Sequence, residues 1–62
     1  MTNEERIERV TRMLPYHYPF RSEDEAVVDI LTDLMHFCKY HDVKFDHVLG
    51  MAEIHFEAEK ND

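Results

Sequence analysis

One stretch of this chain decides most of what it can become. Between Ser22 and Asp42 no glycine or proline interrupts a helix-forming run, and its apolar residues spread over far more than one helical face. At about 100° per residue, Ala26, Phe37, Ile30, His41, Leu34, Val27, Cys38, Leu31, Met35 and Val28 form a continuous arc of roughly 200°. Glu25, Asp29, Thr32, Asp33, His36, Lys39 and Tyr40 occupy the remainder. A single neighbouring helix cannot cover so wide an arc. The segment is therefore either the centre of a bundle or partly buried between subunits.

Local signals place a helix on each side of it. Thr2-Asn3-Glu4-Glu5 and Ser22-Glu23-Asp24-Glu25 both have the hydroxyl-x-x-carboxylate form of a capping box, and in the second Glu23 and Asp24 also favour the positive end of the helix dipole. The first helix carries a narrow stripe of Ile7, Val10 and Leu14, and Pro15 is expected to push Leu14 out of helical geometry. Pro15-Tyr16-His17-Tyr18-Pro19-Phe20 then reads as an elbow whose three rings fold back to cap the bundle, the alternative being an exposed aromatic recognition segment. In the third helix Phe45, Val48, Leu49, Ala52 and Phe56 make the stripe, with Met51, Ile54 and Ala58 spreading beyond it. Gly50, the one glycine, lies inside that helix, through a close backbone approach or by simple tolerance. The expected fold is all-α, a small three-helix bundle in one domain (residues 1–62) with helices at about 3–14, 23–41 and 45–60, completed by dimerisation.

Size and charge narrow the function. A chain of 62 residues buries only about 60% of the surface it exposes when unfolded, so a deep pocket within one copy is not expected. A single cysteine forms no internal disulfide, and no Cys/His spacing frames a structural zinc site. The apolar runs fall far short of a membrane span and no signal peptide opens the chain, so a cytoplasmic protein without membrane contact is expected. The net charge of -7 opposes direct nucleic-acid binding. It is also uneven: residues 1–22 hold four arginines against three glutamates, and residues 23–62 hold three lysines against eleven acids.

Chemistry-bearing residues are few. Asp29, Asp33 and His36 share one surface of the second helix, and His55 and Glu59 stand one turn apart on the third. Carboxylate and imidazole pairs at these spacings build metal sites in helical bundles, which makes Asp33, His36, His55 and Glu59 the candidate set for a divalent metal and for a metal-dependent hydrolase assembled across a dimer. The competing reading is a solvated stripe around His36 and a half-buried His55 satisfied by Glu59 or a neighbouring helix. Cys38, deep in the apolar arc, reads as a small buried hydrophobe. No Ser/His/Asp arrangement or glycine-rich phosphate loop is present.

The run Asp29-Ile30-Leu31-Thr32-Asp33-Leu34-Met35-His36-Phe37-Cys38, followed by Phe45 and then Ala52, His55-Phe56 and Glu59, resembles a family of small helical bacterial proteins, plasmid- or phage-associated, to which no activity is attached. Its pattern is Asp-x-Leu-Thr-Asp-Leu-x-His-Phe with a closing Ala-x-x-His-aromatic-x-x-Glu, and it covers about the last two-thirds of the chain. The resemblance implies a bacterial cytosolic protein and makes Asp33, His36, His55 and Glu59 a possible common site. The file Glu25, Asp29 and Asp33 is similar to the acidic helix of helical nucleotide pyrophosphohydrolases, but the second acidic motif of those enzymes has no counterpart here.

The expected role is thus that of a small acidic interaction module, without catalytic residues or cofactor, associating with itself and with a protein partner. Val28, Leu31, Met35, Met51 and Ile54 are the expected interface. Alongside the metal-dependent hydrolase, carboxylates that imitate phosphates and occupy the groove of a basic nucleic-acid enzyme form the other alternative.

Overall fold

The computed structural model describes residues 2–19 and 21–61, and it is all-α: α1 (Asn3–His17), α2 (Glu23–Tyr40) and α3 (Phe45–Glu59). Both expected N-caps form. The Thr2 hydroxyl accepts the Glu5 N–H at 3.2 Å, and the Glu5 carboxylate accepts the Thr2 N–H at 3.3 Å, closing the capping box. Ser22 accepts the Glu25 N–H at 3.2 Å, but the return arm differs from expectation. Glu25 takes the Ser22 hydroxyl at 3.1 Å instead of a backbone N–H, and Arg21 stands 3.5 Å from its other oxygen.

The first helix runs three residues past its expected end. Leu14 stays helical, Pro15 is accommodated inside the last turn, and the Tyr18 N–H closes that turn on the Leu14 carbonyl at 2.8 Å. Pro15 lacks the N–H that would reach the Thr11 carbonyl, a loss of one bond near a helix end. What stops the helix is Pro19, which drives Tyr18 out of the helical region to φ -132°, ψ 61°. The elbow shrinks accordingly. Tyr16 belongs to α1 and is exposed, so of the expected cap only Tyr18 is half-buried; Phe20 lies outside the described residues.

Between α2 and α3 the chain turns in a Schellman motif. The Val43 N–H reaches the Cys38 carbonyl at 2.8 Å and the Asp42 N–H reaches that of Lys39 at 3.4 Å. The pivot is Asp42 at φ 56°, a left-handed conformation that glycine adopts without strain and aspartate tolerates. α3 then starts at Lys44 without a side-chain cap.

The helices are held at three places. Around the turn, α2 packs on α3. Between α1 and α2, Arg21 pairs with Asp29 at 3.3 Å and the Tyr18 hydroxyl donates to Asp33. Between the start of α1 and the end of α3, Arg6 grips Glu59 and the Asn3 amide donates to the Lys60 carbonyl at 3.3 Å. The result is open and flat, 30 × 29 × 16 Å with a radius of gyration of 12.9 Å. A compact chain of this length has a radius near 10.5 Å. The helices are therefore splayed wider than in a close-packed bundle. The core is correspondingly small: among the described residues only Ala26 and Cys38 are buried, at 3% and 7% exposure.

Candidate interaction surface

So flat and open an arrangement leaves most apolar side chains without an interior to occupy. Val27, Leu34 and Phe37 on α2, Ile7 and Val10 on α1, and Val48, Leu49 and Phe56 on α3 are all exposed, although the helical stripes that carry them have the spacing of a core. The surface area of the chain is 5631 Å². A self-contained monomer of this mass exposes about 4,250 Å², so roughly 1,400 Å² is in excess.

The expected interface residues lie within this excess. Val28, Leu31 and Met35 are 61%, 42% and 54% exposed along α2, and Met51 and Ile54 are exposed on α3. The open clefts between helices are apolar too. One, of about 790 Å³, runs between α1 and the start of α2 and is lined by Ile7, Val10, Leu14, Tyr18 and Val27 with Arg6 and Arg21. Another lies where α1 meets α3, between Ile7, Ala52 and Phe56. Cys38 is a buried free thiol, as its place in the arc predicts.

The four residues considered for a metal go to separate tasks. Asp33 accepts the Tyr18 hydroxyl, Glu59 is held by Arg6, and His36 and His55 are exposed on different helices. Among the described residues no three His, Cys, Asp or Glu side chains converge on a point where an ion would sit. His55 is thus not the half-buried imidazole its stripe-edge position predicts, because the stripe itself is uncovered in one copy. Glu59, expected to serve His55, is taken by Arg6. Nothing local announces that pairing, since the two residues are 53 positions apart. The Tyr18 to Asp33 bond escapes a sequence reading for the same reason.

The electrostatics follow from these pairings. The Arg6 guanidinium holds the Glu59 carboxyl below the usual carboxylate range, and Glu59 in turn raises Arg6. Bonds from the Thr2 backbone and hydroxyl lower the Glu5 carboxyl. Donation to Asp33 raises the Tyr18 phenol. Arg12 pairs with Glu8 and Lys60 with Glu57 at 2.7 Å, whereas Asp24 and Lys39 have no ion pair among the described residues.

No family model matches the chain, and no curated protein or solved structure matches it. None of the described helices is long and apolar enough to cross a membrane.

Proposed function

We propose that this chain is a small acidic interaction module that works by binding other macromolecules, itself among them, in the cytosol. The observation that carries this reading is the excess of roughly 1,400 Å² of surface over a self-contained monomer, much of it apolar side chain at core spacing. Apolar surface left exposed in one copy is what a binding partner removes from water, at roughly 25 cal/mol per Å² of apolar area before the cost of association. The net charge of -7 adds a long-range field that speeds encounter with a basic protein surface. A lone thiol kept from solvent suits a reducing compartment.

The test is the mass of the folded protein in solution. Sedimentation equilibrium at micromolar concentration is expected to give a multiple of 7.5 kDa. A helical, cooperatively melting particle of one chain mass at every concentration would overturn the reading.

A further inference from the structure

We propose that the exposed flank of α2 is covered by the same flank of a second copy, in an antiparallel two-fold contact that sets Asp24 of each chain beside Lys39 of the partner subunit. This deepens the interaction-module reading and rests on it.

The flank is defined by the fold. Asp29 and Asp33 face the linker between α1 and α2, where Arg21 and Tyr18 hold them. On the other side of the helix, Asp24, Val28, Leu31, Met35 and Lys39 fall in a stripe about 80° wide, at separations of four, three, four and four residues. The three apolar members are 61%, 42% and 54% exposed, and neither charged end has an ion pair among the described residues.

The stripe is self-complementary under a two-fold axis. With the axis between Leu31 and Thr32, Val28 meets Met35 of the partner subunit, Leu31 lies next to its own copy, and Asp24 meets Lys39, each twice. A parallel pairing would instead set Asp24 against Asp24 and Lys39 against Lys39. It would also align two helix dipoles whose acidic starts and basic ends already favour the antiparallel choice. Thr32, beside the axis at the edge of the stripe, enters the contact without an orphaned donor, because its hydroxyl is given to the Val28 carbonyl at 2.8 Å.

Charge reversal tests the geometry. Dimer dissociation constants are measured by sedimentation for the wild type, Asp24→Lys, Lys39→Asp and the double variant, with helicity followed by circular dichroism. Each single reversal turns two attractions into two repulsions, and is expected to weaken the dimer about tenfold. The double variant is expected to return to within about threefold of the wild type. Mere weakening of α2 through its dipole would make the double variant the poorest of the series, so recovery separates the two causes. Single reversals without effect, or a double variant that fails to recover while the wild type still self-associates, would overturn this contact and leave the wider reading standing. A folded wild-type monomer would overturn both.

Discussion

Arg6 presents two guanidinium nitrogens to the two carboxylate oxygens of Glu59, with Nη2 2.9 Å from Oε2. The first turn of α1 is thereby tied to the last turn of α3, two elements otherwise joined by the Asn3 amide on the Lys60 carbonyl. In a slab with so little core, a fork of this kind fixes where the ends of the chain lie.

That fork makes part of the stability depend on pH. Glu59 has a folded pKa below its ordinary value, so its contribution is complete above the unfolded carboxylate pKa and is lost as pH falls through the folded one. Glu59→Gln should therefore lower the denaturation midpoint at neutral pH, and the gap to the wild type should close on acidification below the carboxylate range. Urea melts of both proteins at several pH values check it. A gap that stays constant with pH would show that the pair contributes through packing alone.

Gly50 has open space where a side chain would begin: a Cβ built there meets nothing within 4 Å. Of the two readings its position in α3 permits, tolerance is the one the described chain supports. Gly50→Ala is expected to raise stability by about 1 kcal/mol through helix propensity. Thermal melts read the change, and a fall in the midpoint would reveal that another chain packs against that position.

The helices were legible where the signals are local, and the slab was not. Thr2, Ser22 and the unbroken run from Glu23 onward mark helix starts through side chains three residues apart, a range over which a sequence can be read directly. Pro15 misled because proline weakens a helix without always ending it; Pro19, acting on Tyr18 before it, holds the stronger constraint. Helical periodicity put Cys38 deep in the apolar arc, where it is buried, and put His55 half-buried at a stripe edge, where it is exposed. Periodicity tells which residues share a face. Whether that face is covered depends on the angles between helices, and here those are set by contacts such as Arg6 with Glu59 that span almost the whole chain.

Pro15 offers a check on how the first helix ends. Since α1 already continues through it to His17, Pro15→Ala should restore the missing bond to the Thr11 carbonyl without moving the end of the helix, which Pro19 sets. A gain of about 1–3 kcal/mol in chemical denaturation is expected, with helical content nearly unchanged. A loss of stability would mean that the proline ring's place in the cleft with Leu14 and Tyr18 outweighs the backbone bond.

Asp42 is where the turn between α2 and α3 stores its strain. With φ at 56° it occupies the pivot position of a Schellman motif, whose two bonds end on the Cys38 and Lys39 carbonyls. An L-residue pays about 1 kcal/mol for that conformation, though aspartate recovers some of it through local hydrogen bonding, and glycine avoids it. Asp42→Gly should therefore leave the turn intact and raise stability by about 0.5–1 kcal/mol, less whatever freedom glycine adds to the unfolded chain. Asp42→Val, with a branched Cβ in the same backbone position, should do the opposite and cost more than the glycine variant gains. Denaturant midpoints of the two variants decide it: both moving in one direction would mean that the charge at position 42, and not its backbone angle, governs the turn.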